Sequence, residues 1–456
     1  MERRFEVRKE ELLADCQVPP EVFSGIMGRL EKFTQPYVAC LRRPEQRAHS
    51  QTYVQGLLSD LKRKNAEAIA YRHDEDRQGL QTFIGTAAWD HQPLLDQLAR
   101  QVGEQLGEAD GVIVFDPAGF PKKGCHSVGV ARQWCGRLGK VDNCQVAILM
   151  GYVSRVEHAL VNARLYLPQD WTKNKKRLKA CGVPQGTRFR TRHQLALDML
   201  EEQGHLLPHS WVTGDDEMGR PAWFRRELDV RGERYLLGVP SATTIRDLEG
   251  ETPPYRGRGR RRKRRFEQVR AWCESLPEEA WSRLEVRDGA KGPLEVEIVK
   301  RRVVAKIDRK VGHKETFVAI RTVDEEGVVK HDYYLSNGSS ETPLKEFGRV
   351  AKAEHRIEEC IKRGKSESGL ADYQVRTWLG WHHHVTLSML AAWFLVVEAR
   401  RGEKVDPGNH RSANPRESGP NPEACMEVRQ PRSHQPRMHP LARTQRTRQI
   451  LSPSST

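Results

Sequence analysis

The sequence predicts an α/β protein: a mixed β-sheet flanked by helices, with a helical N-terminal domain and a β-rich insertion. Three observations carry that prediction. Residues 1–108 repeat their apolar positions at helical spacing. Between 109 and 240, short apolar runs of strand length are interleaved with amphipathic helices. Between 294 and 336, alternating strands recur ahead of two long helices.

In chain order, Leu57, Leu58 and Leu61, and later Leu94, Leu95 and Leu98, mark the apolar faces of the N-terminal helices. GVIVFD (111–116) is an apolar run ending in a carboxylate, as in a central strand whose last residue emerges at a sheet edge. CQVAILMGYVS (144–154) and HALVNARLYLP (158–168) read as two more strands joined by a short turn. An amphipathic helix follows over 191–204, through Leu195, Leu197, Met199 and Leu200. SWVTGD (210–215) is a strand that again ends in an acid; a helix through Trp223, Phe224 and Leu228 leads to the strand RYLLGVP (234–240). Residues 241–275 hold no clear strand and carry a basic run, Arg256 to Arg265, in which eight of ten positions are Arg or Lys. Strands return in 294–307, 316–323 and 328–336, then helices over roughly 343–366 and 380–400. From Asp406 onward, 51 residues contain eight prolines, eight arginines and no Phe, Trp or Tyr, a composition that predicts disorder. The expected divisions are 1–108, helical; 109–240, the first part of an α/β core; 241–342, a β-rich insertion with a basic loop; 343–402, the C-terminal helices of the core; and 403–456, a basic tail.

A net charge of +15 and a pI near 9.4 favour a polyanionic partner, though a cationic enzyme shares that balance. Nine cysteines with no C-x-x-C spacing fit free thiols in a reducing compartment rather than a zinc site. The N-terminus lacks the apolar core of a signal peptide, and the longest apolar stretch, Val385 to Val397, is too short to span a bilayer. The expectation is a soluble intracellular protein with no membrane association.

Asp116 and Asp215 close two core strands, and Glu358 lies on the late helix. Phosphodiester chemistry needs such a set: two divalent ions about 4 Å apart activate the attacking oxygen and stabilise the leaving one. Hard cations such as Mg²⁺ prefer oxygen ligands. Each acid alone is more often a turn residue or helix cap. Asp216 and Glu217 adjoin the second, and Glu354 and Glu359 stand near the third, so neighbouring choices stay open. Lys365, seven residues beyond Glu358, falls on the same helical face, where it could grip a phosphate or simply be solvated. Lys122 and Lys123, in the turn after Asp116, are either phosphate contacts or a basic loop.

The runs DPAGFPKKG (116–124), SVGVARQW (127–134), GKVDNCQV (139–146) and LYLPQDW (165–171) resemble the insertion-sequence transposases of the DDE superfamily. So do WVTGDDEMG (211–219), RYLLGVP (234–240), IEECIKRGK (357–365) and GLADYQVRTWLGWHHHVTL (369–387). The resemblance covers roughly residues 20–400 and is nearest to the cut-and-paste group whose third acid follows a β-rich insertion. It implies an RNase H-like core with Asp116, Asp215 and Glu358 as catalytic and metal-binding acids, and two Mg²⁺ or Mn²⁺ ions per site. It further implies binding of terminal inverted repeats, cleavage at the element's ends, joining to target DNA and action as a homodimer in a paired-end complex. A cytoplasmic, nucleoid-associated protein of a prokaryotic cell follows from it. Where that group carries a Tyr and an Arg before the third acid, this chain has Ala351 and Glu354; Pro117 and Ala118 depart from its pattern after the first. The alternatives are an RNase H-like nuclease that cuts without joining and a DNA-binding remnant without catalysis.

Arg260, Arg261, Arg262, Lys263, Arg264 and Arg265 are candidate DNA-phosphate contacts, or else a solvated loop. His382, His383 and His384 point 100° apart on a helix and so cannot converge on one ion; packing beside Trp378 and Trp381 is expected. Trp134, Trp171 and Trp211 could stack on an unpaired base, with core packing the default.

Overall fold

A computed structural model describes residues 24–251, 254, 257, 264–289, 292–323 and 327–405. The tail expected to be disordered lies outside these residues, as do Arg260, Arg261, Arg262 and Lys263.

Among the described residues five helices come first: α1 (Ile26–Val38), α2 (Pro44–Leu57), α3 (Ala66–His73), α4 (Arg77–Gly85) and α5 (Gln92–Leu106). Their starts are written in the sequence. The Asn65 side chain accepts from the Ala68 amide to cap α3, and Asp76 accepts from the Gln78 and Gly79 amides to cap α4. Proline occupies the first turn of α2 and of α5, where its missing N–H costs nothing. Leu94, Leu95, Leu98, Val102 and Leu106 form the buried stripe of α5. At Gly56 the backbone of α2 rides directly on the Ile69 side chain of α3, with no room for a Cβ.

The sheet holds twelve strands among the described residues. They are β1 (Val112–Pro121), β2 (Ala131–Cys135), β3 (Lys140–Val153), β4 (His158–Leu165), β5 (Trp211–Gly214), β6 (Tyr235–Gly238), β7 (Thr244–Asp247), β8 (Glu267–Gln268), β9 (Ser282–Gly289), β10 (Gly292–Ile307), β11 (Lys310–Val323) and β12 (Val329–Ser336). β4, β3 and β1 pair antiparallel, and β1, β5 and β6 pair parallel. That five-strand order, with helix α6 (Arg192–Gln203) between β4 and β5 and α7 (Ala222–Val230) between β5 and β6, is RNase H-like. The parallel strands β5 and β6 are buried at every residue, as strands covered on both faces must be. Two long helices close the fold, α8 (Leu344–Ser366) and α9 (Trp378–Val405). Through Phe347, Val350, Ala351, Ile357 and Ile361, α8 packs on the core strands. No helix among the described residues is long and apolar enough to cross a membrane.

The β-rich segment continues the core sheet. β12 pairs antiparallel with β6, Leu335 facing Leu237, and β11, β10 and β7 follow outward. These outer strands enclose an apolar cluster of their own, including Ile245, Trp272, Phe317 and Leu335. Three sequence expectations are corrected. Residues 241–275 do contain strands: β7 pairs with β10, and β8 with β7. Four residues are too few to show a period of two, and β7 is held by partners about sixty positions away. β2 and β9 went unread because β2 is only five residues long and β9 carries four charges in eight residues, and β3 begins at Lys140 rather than 144. Finally, β1 runs on to Pro121 instead of ending at Asp116.

Arg225 on α7 and Glu315 on β11 form an ion pair at 2.7 Å with both side chains all but fully buried. The Tyr235 hydroxyl donates to the same carboxylate at 2.7 Å, so the pair ties core strand β6 to the outer strands. Removing one member of a buried pair leaves an uncompensated charge. Arg225→Met should therefore lower unfolding stability by about 3–5 kcal/mol. Urea denaturation followed by circular dichroism measures this; a loss under about 1 kcal/mol, the scale of an exposed pair, would contradict it.

Candidate active site

The parallel register of β1 and β5 ends at Phe115 opposite Gly214, so the next residues, Asp116 and Asp215, are neighbours where β5 leaves the sheet. β1 itself continues, Asp116 pairing with Leu149 of β3. Asp215 caps the one-turn helix Asp216–Gly219: its Oδ1 accepts from the Met218 amide at 2.9 Å, which occupies one of its two carboxylate oxygens. The cap role and a site role are thus compatible in one residue.

Burial and mutual repulsion shape the electrostatics of the acids. Burial pushes the Asp116 carboxyl up to about 6; the negative charge of Glu358 adds to this, while the Lys365 ammonium opposes it. Burial pushes Asp215 up to about 7, against the Met218 hydrogen bond and with the charge of Asp116 contributing. Glu354, one turn before Glu358 on α8, is held well above the usual carboxylate range by burial and then by Asp215, Glu358 and Asp116. Glu358 is exposed, with His355 Nδ1 3.5 Å from its Oε2. Asp116 and Glu358 line a cleft of ≈ 520 Å³ together with Gly136, Arg137, Lys362 and Lys365. Lys365 Nζ lies 5.0 Å from the centre of the Phe120 ring.

The structure therefore brings Asp116 beside Asp215, and brings Glu358 and Lys365 to the Asp116 cleft. Lys122 and Lys123 line a neighbouring cleft of ≈ 870 Å³ with Tyr53, Tyr373 and Arg376. There Lys122 Nζ donates to the Tyr373 carbonyl and sits 3.3 Å over its ring, and burial lowers its pKa to about 8. Arg264 pairs with Asp247 at 3.0 Å, and Arg265 is exposed. Glu354, which the sequence leaves open beside Glu358 and which departs from the family pattern, is the acid whose closeness to Asp215 sequence reasoning missed. Its i−4 spacing from Glu358, which puts both on one helical face, was the available signal. Arg137 lies outside every sequence motif of charge and was not legible.

Among the described residues, no three His, Cys, Asp or Glu side chains are gathered closely enough to hold a metal ion as they stand. The donors nonetheless fit a hard divalent cation. They are all carboxylates, and they crowd at one sheet edge where their charges repel, which a cation would relieve. The exposed Glu358 side chain is the member with freedom to swing inward.

Residues 36–293 match the family model described as DDE superfamily endonuclease, and the chain belongs to that family. Membership implies dependence on a divalent metal. A protein of Microchaete diplosiphon described as the probable transposase for insertion sequence element IS701 is 31% identical over 190 residues, 41% of this chain and 47% of that one. The chain thus spans about half the length of that relative. A solved structure of piggyBac transposase in a synaptic complex with hairpin DNA aligns with 85% of this chain and 75% of its own, at 9% identity and a TM-score of 0.39. So distant a likeness carries no argument; the strand order stands on its own.

The three consecutive histidines pack into the fold. His382 tilts against the Trp378 ring at 4.3 Å, and His383 stacks on Trp89 at 3.7 Å. His384 is neutral in one tautomer: Nε2–H donates to the Gly369 carbonyl at 3.0 Å, and Nδ1 accepts from the Tyr53 hydroxyl at 2.9 Å. Burial pushes its pKa down to about 3. A histidine depressed in the folded state stabilises above its unfolded pKa of about 6.5, and that contribution is lost as pH falls toward 3. His384→Gln should flatten the pH dependence of unfolding stability between about 6.5 and 4 by up to about 1.4 kcal/mol per pH unit. An unchanged slope, read from urea melts at several pH values, would place the proton elsewhere.

Proposed function

We propose that the protein is a transposase that cleaves DNA at the ends of its element and transfers the freed strand into target DNA. The observation that carries this reading is the placement of Asp116 beside Asp215 across two parallel strands, with Glu358 delivered to the same cleft by α8. In this reading Asp116, Asp215 and Glu358 are the acids that hold two Mg²⁺ or Mn²⁺ ions. Such ions, when bound, activate the attacking water or 3′-hydroxyl and stabilise the leaving oxygen. The residues supply the rest. Asp116 and Asp215 sit on a rigid sheet edge, and the Met218 amide fixes the Asp215 carboxylate in orientation. Lys365, Lys362 and Arg137 line the cleft with positive charge suited to a DNA phosphate. Glu354 adds a fourth carboxyl beside Asp215, held toward its neutral form by burial and the neighbouring acids.

The partners in this reading are the terminal inverted repeats and target DNA, bound by a homodimer in a paired-end complex. Arg264 and Arg265, and Lys122 and Lys123 in the adjoining cleft, add positive charge for the same DNA. The setting is the cytoplasm of a prokaryotic cell, at the nucleoid. The resemblance to an insertion-sequence transposase and the net charge of +15 both support it.

Purified protein incubated with Mg²⁺ and its element's end DNA tests the proposal. Joined products are expected; cut ends without joining would make the protein a nuclease, and a salt-sensitive gel shift without cutting would make it a binding protein. Asp116→Ala, Asp215→Ala and Glu358→Ala should each reduce cleavage by at least about a hundred- to a thousandfold, the scale of one lost transition-state support, while DNA binding persists. Glu354→Gln should keep measurable cleavage. If Glu358→Ala cleaves normally and Glu354→Gln does not, the third acid is Glu354.

A further inference from the structure

Of the three tryptophans that the sequence offers for stacking, two are spent on the core. Trp171 and Trp211 are buried, and their indole N–H groups donate to the Val130 carbonyl at 2.8 Å and to Glu346 Oε1 at 2.7 Å. Trp134 is different. It is 54% exposed on β2, the terminal strand of the sheet order. Its cross-strand partner on β3 is Val141, 53% exposed, and Leu138 at the hairpin tip is 41% exposed. Three large apolar side chains on one short hairpin form a patch that core packing does not explain.

The surroundings of that patch select its occupant. Arg132, two residues along the strand from Trp134, is exposed on the same side of β2, and Arg137 and Lys140 are exposed around the tip. The hairpin also adjoins the acids. A Cβ placed on Gly119, three residues past Asp116, would stand 2.9 Å from Cys135 Sγ, and Gly136 and Arg137 line the Asp116 cleft. Three strand residues span about 10 Å, roughly three stacked nucleotides at 3.4 Å each. An aromatic and aliphatic platform with Arg132, Arg137 and an Asp142-paired Lys140 at its rim, on a hairpin whose Gly136 and Arg137 line the cleft of a phosphate-cleaving site, matches the faces and backbone of unpaired nucleotides. A second copy of the chain would gain less from this surface, because the like charges of the rim would face each other.

We propose that the β2–β3 hairpin is a binding site for an unpaired DNA base next to the reacting phosphate, with Trp134 stacking on the base, Val141 and Leu138 extending the platform, and Arg132, Arg137 and Lys140 holding the flanking backbone. This rests on the reading of the protein as a DNA-cleaving enzyme and adds to it where strand separation is held. The interaction is sequence-tolerant, since every base offers a π-face.

The test compares two labelled probes, a short blunt duplex and the same duplex with three unpaired nucleotides at one end, titrated with full-length protein at fixed salt. Wild type should prefer the frayed probe. Trp134→Ala should lose about tenfold or more on the frayed probe and bind the blunt one within about twofold, and Trp134→Phe should recover most of the preference. Thermal melting of both variants checks that the hairpin change leaves the fold intact. If Trp134→Ala retains the preference while Asp116→Ala still abolishes cleavage, the stacking site is wrong and the proposed function stands. If Trp134→Ala changes the oligomeric state instead of frayed-end binding, the patch is a protein contact and the inference falls. If wild type neither binds nor cuts either probe or its own end DNA, both readings fall together.

Discussion

Parallel pairing of β1 with β5 is the constraint on which the rest of the structure depends. It sets two aspartates side by side at the point where β5 ends, in surroundings dry enough to raise both carboxyls into the range of about 6 to 7. Like charges in a poorly solvated edge are costly. The chain accepts this cost and adds Glu354 and Glu358 from α8, with the Lys365 ammonium offsetting only part of it. A protein does not gain stability from such a cluster; what the cluster supplies is a strong local demand for a cation.

The remainder of the fold keeps that edge rigid. α8 is anchored by a continuous apolar face, Phe347 through Ile361, so the acids it carries are placed by packing rather than by a loop. The outer strands β7 and β10–β12 are not an independent module hung from the core. They extend its sheet through β12 and are locked to it by the buried Arg225–Glu315 pair. The inserted segment therefore sits in a fixed position relative to the acids.

Much of this was legible in the sequence, and the exceptions share a cause. Apolar runs such as GVIVFD and SWVTGD identified the central strands because burial on both faces demands apolar side chains throughout. The strands β2, β7 and β9 were not legible, because each is short or charged and owes its structure to a partner strand instead of its own pattern. At the site, Asp116 and Asp215 could be picked from strand ends, although β1 in fact continues past Asp116 and only its parallel partner stops there. The closeness of Glu354 to Asp215 was hidden because it depends on how α8 lies across the sheet, a tertiary fact. The exposure of Trp134 was hidden for the same reason, since composition alone gives a tryptophan to the core.

The central claim is that the Asp116–Asp215 edge and the carboxylates of α8 form one cation site. Crystals soaked in Mn²⁺ and measured at the manganese absorption edge test it directly. Anomalous peaks between Asp116, Asp215 and Glu358, with the Glu358 side chain turned inward, are the predicted result. Crystals saturated with Mn²⁺ that show density elsewhere and none at this edge would contradict it.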